Sequence, residues 1–138
     1  MGKKAIKIGL LAVGFIVMVW SVISLSVAIR TNGFLTEIYN SNGNYKPEFG
    51  EFVSPELFSR LDYRSEHGIE ECEYTEKHKR TFPIALYAWD KTYVYFGYFY
   101  ERAEQKTDEL LCGSDSSIKL TMELKNGKWR VVDSYEGP

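Results

Sequence analysis

The feature that most constrains this chain is an apolar run without a single charged residue, from Ile8 to Ile29. As an α-helix this run would extend about 33 Å, enough to cross a hydrocarbon core of about 30 Å. One crossing is the simplest interpretation. The sequence therefore predicts a tail of residues 1–7, a transmembrane helix of residues 8–29 and a domain of residues 30–138.

The charges that flank the run predict its orientation. Three lysines precede it, whereas Arg30 is the only basic residue that follows it closely. The positive-inside rule then places the tail in the cytoplasm and the domain outside, in a single-pass protein of the cell membrane. The competing interpretation is a signal peptide cleaved after Ala28, because Ser26 and Ala28 are small residues at the positions that signal peptidase reads. The run is longer than a usual signal-peptide core, which favours an uncleaved anchor.

The composition of the domain excludes one class of partner. All 19 acidic residues lie in residues 30–138, together with all but three of the 17 basic ones, so the domain has a net charge of −5. A nucleic-acid partner is therefore not expected. An aromatic content of 15% indicates an ordered core.

Two helices are predicted before the strands. The apolar spacing that starts at Phe34 is helical and extends the anchor helix to about Asn40. Ser54 is a favourable N-cap and Pro55 a favourable first residue, so a second, short helix is predicted to end near Asp62. The charged segment 63–80 has no sustained period, which indicates a loop with a helical turn or a short edge strand.

Strands follow from Thr81 onward, because the chain becomes rich in β-branched and aromatic residues. The clearest signal is a hairpin around Asn126-Gly127, a pair typical of a type I′ turn. An uninterrupted register pairs Leu124 with Trp129, Met122 with Val131, Leu120 with Asp133 and Ile118 with Tyr135, and places all eight on the core face.

This order of elements resembles a known superfamily. A helix, a short second helix after YKPEFGEFVSPELFSRL and long antiparallel strands ending in LKNGKWRVVD are similar to NTF2-like proteins, over residues 33–135. The resemblance implies an α+β cone, in which helices pack on a curved antiparallel sheet. Bacterial proteins with an anchor and an extracytoplasmic NTF2-like domain include scaffold subunits of conjugation and type IV secretion machines. The resemblance thus implies an accessory or scaffold role, and no residue matches a catalytic motif of the superfamily.

The strand TYVYFGYFY predicts a binding surface. Alternation places Tyr93, Tyr95 and Phe99 on one face, while Val94, Phe96 and Tyr98 lie on the other. Antiparallel sheets usually have one polar face, so a doubly aromatic strand indicates that the outer face is covered by another envelope protein, a second copy or the membrane. The alternative is that the tyrosines are simply half-exposed.

A pocket is the competing hypothesis for function. If Asp133 lies on the core face, its pKa would be raised by apolar neighbours, and it could act as a general acid or base with Tyr98 and Trp129 nearby. The protein would then be a small-molecule binder or a lyase or isomerase. The simpler alternative places Asp133 at the wet end of the sheet.

Cys72 and Cys112 are the only cysteines, and outside the membrane they are predicted to form a disulfide. Such a bridge would contribute about 4 kcal/mol in the chain-entropy model. Free thiols are the alternative. The histidines and carboxylates around Cys72 match no standard zinc spacing, so no metal or cofactor is predicted.

Overall fold

A single helix dominates the first third of the chain. The computed structural model describes residues 2–41, 43–61, 74–107 and 109–137, without the side chains of residues 74–78, 100, 102 and 110–114. Helix α1 spans Lys3–Asn40. It ends where the sequence predicts, and the Ser41 amide donates hydrogen bonds to the carbonyls of Glu37 (3.0 Å) and Ile38 (3.2 Å).

The two halves of α1 have different surroundings. Residues 2–22 are exposed on all sides, and this apolar part is long enough to belong to a membrane-crossing helix. From Ser24 onward one stripe is buried at helical spacing, consisting of Ser24, Val27, Ala28, Thr31, Leu35 and Ile38. Burial against the sheet thus begins six residues before Arg30, so the end of the apolar run is also part of the core.

The sheet is antiparallel and has five strands. They are β1 (Tyr74–Arg80), β2 (Ile84–Ala88), β3 (Lys91–Glu104), β4 (Leu110–Lys125) and β5 (Lys128–Gly137). Strands β1 and β2 pair with the same edge of β3, one after the other, and β4 and β5 follow on its other side. The fold class is therefore α+β, with a charged edge strand at residues 74–80.

The edge strand is interrupted at Thr81. The Thr81 amide donates to the Gly97 carbonyl (2.9 Å), and the Gly97 amide donates to Thr81 Oγ1 (2.7 Å). Next to this break, the Arg80 guanidinium reaches α1 and donates to Asn32 Oδ1 (2.8 Å) and Thr36 Oγ1 (3.2 Å). Burial lowers the pKa of Arg80. These contacts fix the broken edge strand to the helix.

Two short helices complete the core. A 3₁₀ helix spans Pro47–Glu51 and α2 spans Pro55–Leu61. As predicted, Ser54 caps α2, because its Oγ accepts a hydrogen bond from the Leu57 amide (3.3 Å). Phe52 stacks on Phe34 of α1, with ring centroids 3.7 Å apart. The Val131 amide of β5 donates to the Phe52 carbonyl (2.8 Å), so this segment joins α1 to β5 at the edge of the core.

The β4–β5 turn has the predicted geometry. Asn126 and Gly127 have φ values of 52° and 76°, and a type I′ turn requires positive φ at both positions. The predicted pairs Leu124 with Trp129 and Met122 with Val131 are confirmed.

Beyond those pairs the predicted register is wrong. The ladder shifts between Thr121 and Met122, where β5 contains one additional residue, Val132. Asp133 consequently pairs with Thr121 and not with Leu120, and Tyr135 pairs with Lys119 and not with Ile118. A one-residue bulge moves every later side chain to the opposite face. Asp133 and Tyr135 therefore leave the core side of the sheet.

Candidate functional site on the outer face of the sheet

The two faces of β3 differ in burial. Thr92, Val94, Phe96 and Tyr98 are buried on the inner face, toward α1. The alternating outer-face residues remain partly or fully exposed, including Tyr95 at 41% and Phe99 at 37%. The outer-face residues of β4 and β5 are exposed or half-buried as well. An apolar surface thus lies open on this side of the described chain.

Two rows of residues across the strands shape this surface into a groove. One row contains Ile84, Tyr95, Lys119 and Tyr135, each opposite the next in the sheet. The adjacent row contains Gly97, Ser117 and Gly137, which have almost no side-chain bulk. The groove has a volume of about 580 Å³, with the small row as its floor and the larger side chains, together with Phe82, as its walls.

The groove is apolar with a single cation. Lys119 is the one charged residue that lines it among the residues the structure describes. Its Nζ lies 4.8 Å from the centroid of the Tyr93 ring, within the range of a cation–π contact. That contact leaves the ammonium available to an anion. The groove can therefore accept an apolar group that has a carboxylate beside it.

The three predicted interface residues lie on this face. Tyr95 lines the groove, Tyr93 lies beneath Lys119, and Phe99 lies beyond the small row. Sequence reasoning missed Ile84, Lys119 and Tyr135. Tyr135 was assigned to the core because the bulge at Val132 leaves no signal in the local pattern. Alternation along β4 puts Lys119 on the outer face but does not distinguish a binding residue from a solvated one.

The three predicted pocket residues do not meet. Asp133 is exposed on the outer face, and its Oδ1 accepts a hydrogen bond from the Ser134 amide (2.9 Å). Tyr98 is buried on the inner face, with its ring centroid 5.1 Å from that of Tyr39. Trp129 is half-buried, 5.9 Å from the Tyr87 ring. Among the residues that the structure describes, this arrangement offers Asp133 no apolar wall and no partner for acid–base chemistry.

The predicted disulfide lies outside the described residues at Cys72 and outside the described side chains at Cys112, so it stays a prediction. Cys112 itself belongs to β4 and pairs with Arg102. Within the described ranges, no group of three or more His, Cys, Asp or Glu side chains is placed to hold a metal ion.

Comparison of the chain with protein-family models, with curated proteins and with solved structures gives no match.

Proposed function

We propose that this chain is a single-pass membrane protein whose extracytoplasmic α+β domain acts without catalysis, as an accessory or scaffold module that binds another envelope protein. The observation that supports this most strongly is the exposed apolar groove around Tyr95 and Tyr135. Monomeric domains seldom expose contiguous apolar surface unless it binds something. The aromatic walls are typical of protein interfaces.

The helix supports the membrane part of the proposal. Its first half is apolar and exposed on all sides, and the lysines that precede it favour a cytoplasmic tail. Cleavage after Ala28 would remove Ser24, Val27 and Ala28 from the core. This argues for an anchor that is retained. One long helix, a short second helix and an antiparallel sheet are the basis for proposing an NTF2-like cone.

The charge in the groove favours a different protein over a second copy. In a face-to-face dimer with twofold symmetry, residues near the axis meet their own copies. Lys119 lies in the middle of the groove, so two copies would bring two ammonium groups together, which is unfavourable. A segment with apolar side chains and a nearby carboxylate satisfies both the walls and the lysine. We therefore propose such a segment as the occupant.

Site-specific photo-crosslinking in native membranes tests this function. A photoreactive phenylalanine at Tyr95 or Tyr135 should form an adduct with one partner of defined mass. The matched control is Leu124, which is also apolar and exposed but lies outside the groove. Lys119→Glu should abolish the adducts at both groove positions. An adduct of twice the chain's own mass would show self-association. No adduct in the groove, or equal yield at Leu124, would contradict the proposal.

A further inference from the structure

The membrane span and the domain overlap along α1. A helix needs about 20 residues to cross the hydrocarbon core. Counted from Ala5, directly after Lys4, these residues end at Ser24, and counted from Ile8 they end at Val27. Both end points are buried against the sheet. If the helix is the anchor, the edge of the hydrocarbon core therefore lies at the level of the sheet, and part of the domain reaches the membrane surface.

Strand β2 runs back along the helix toward this boundary. Trp20 Nε1 donates a hydrogen bond to the Tyr87 carbonyl (2.7 Å), and the Tyr87 amide donates to Ser24 Oγ (3.3 Å). Two residues later, Trp89 shares an apolar cleft with Val19 and the helix residues before it. Val19 lies about 8 Å along the helix axis from Ser24, on its N-terminal side. The β2–β3 turn therefore lies deeper than either end point of the span.

The surface at this level is apolar on both elements. Trp89 at the turn is 82% exposed. It continues the apolar surface of the anchor, because it lines a cleft together with Phe15, Ile16 and Val19 of α1, which are exposed as well. Tryptophan is enriched where membrane meets water, because its ring is apolar and its N–H is polar.

The free edge of β2 is satisfied by the helix at Tyr87, close to the β2–β3 turn. An open sheet edge is not tolerated in lipid, because its amides and carbonyls lack partners. On the edge of β2 away from β3, the amide and carbonyl of Tyr87 are bonded by Ser24 and Trp20 of the helix. Trp20 and Ser24, two of the polar side chains in the apolar run, thus satisfy the backbone of Tyr87 beside them.

We propose that the domain itself is partly immersed in the bilayer, with Trp89 and the β2–β3 hairpin in the interface of the leaflet on the domain's side. This inference rests on the proposed membrane anchor. Asp90 and Lys91 follow Trp89 directly, and charges are excluded from hydrocarbon, so the turn lies at headgroup level. The bilayer thins locally to meet it, an accommodation that membranes make at small cost per ångström.

Tryptophan quenching in reconstituted vesicles tests the depth of the hairpin. The full chain, with Trp20→Phe and Trp129→Phe so that Trp89 alone emits, is placed in phosphatidylcholine vesicles brominated near the top of the acyl chains. Trp89 emission should shift to shorter wavelength and be lost to the brominated lipid, while aqueous iodide should have little effect. The matched control replaces all three tryptophans by Phe and adds Phe99→Trp, at the far end of β3, where iodide should quench and brominated lipid should not.

The outcomes separate this inference from the proposed function. Co-flotation with vesicles together with strong iodide quenching of Trp89 would overturn the inference and leave the anchor intact. Failure to float with vesicles would refute the anchor, and the inference with it. A second measurement, fluorine NMR of the wild-type chain labelled with fluorotryptophan, avoids the multiple substitutions. The Trp89 resonance is the one that is missing from the spectrum of Trp89→Phe. This resonance should broaden in vesicles that contain spin-labelled lipid. A sharp resonance there would also overturn the inference.

Discussion

The inner and outer faces of β3 are built from nearly the same residue types but have opposite surroundings. Phe96 and Tyr98 are buried against the helices, whereas Tyr95 and Phe99, their neighbours in the chain, remain partly exposed. The inner face therefore contributes to folding through burial, and the outer face retains most of its apolar surface. An aromatic face that the fold does not bury is available to a partner.

The largest expected effect is the difference in unfolding free energy between substitutions at two adjacent residues. Phe96→Ala should lower the free energy of unfolding by about 3 to 5 kcal/mol, because it leaves a cavity in the core. Tyr95→Ala should change it by less than about 1 kcal/mol, since its side chain is on the open face. Urea unfolding of the full chain in mild detergent measures both. Equal losses would show that the outer face also stabilises the fold.

The bulge decides which face Asp133 occupies, because Val132 is the one residue at this point of β5 without a partner in β4. Deleting Val132 should therefore close the bulge and leave Asp133 opposite Thr121 and Tyr135 opposite Lys119, at a cost of only about 1 to 2 kcal/mol. Val132→Ala, which keeps the bulge, is the control and should cost about 1 kcal/mol. In an uninterrupted register the same deletion would turn Glu136 toward the core, so a loss of about 3 kcal/mol or more would contradict the assigned register.

One buried polar group on the inner face is expected to lower the stability of the domain. The Thr92 hydroxyl is buried and has no hydrogen-bond partner among the described residues. Thr92→Val should therefore raise the free energy of unfolding by about 1 kcal/mol, because it removes an unsatisfied group and keeps the shape. Thr31 is the matched control, since its buried hydroxyl donates to Met122 Sδ (3.6 Å). If Thr31→Val raises the free energy of unfolding as much as Thr92→Val does, the missing hydrogen-bond partner of Thr92 does not explain the gain in stability.

The smallest expected effect concerns an exposed ion pair at the edge of the sheet. Lys128 Nζ lies 2.6 Å from Glu51 Oε2, and this hydrogen bond lowers the pKa of Glu51. The pair's stabilisation is present above the pKa of Glu51 in the unfolded chain, and it is lost as the pH falls through the lower folded value.

Lys128→Gln should raise the pKa of Glu51 toward its ordinary value, as measured by NMR titration. Lys125→Gln, on the same turn, should leave it unchanged. A Glu51 pKa that does not respond to Lys128→Gln would refute the pairing.

Local signals in the sequence predicted much of the fold. The spacing after Phe34, the cap at Ser54 and the Asn126-Gly127 turn each depend on a few neighbouring residues, and each is confirmed. The α+β class follows from their order.

The features that shape the candidate site depend on contacts between residues that are far apart in the sequence. The bulge at Val132 is defined by where β4 lies, and the break at Thr81 by its hydrogen bonds to Gly97. The burial of Ser24 within an apolar run likewise requires β2 beside it. Alternation therefore placed Tyr93, Tyr95 and Phe99 on one face, but it could not place Tyr135 with them.

The most direct test of the central claim is the affinity of the full chain for the protein crosslinked at Tyr95. Replacing Tyr95 by Ser should weaken binding by about 2 kcal/mol or more, an increase in Kd of roughly 30-fold. Tyr93→Ser and Phe99→Ser should also weaken binding of the partner, by about 2 kcal/mol for each residue that the partner covers. Asp133→Asn should leave Kd unchanged, and the fold of each variant should survive. Loss of binding in Asp133→Asn alone, with Tyr95→Ser unaffected, would contradict the account.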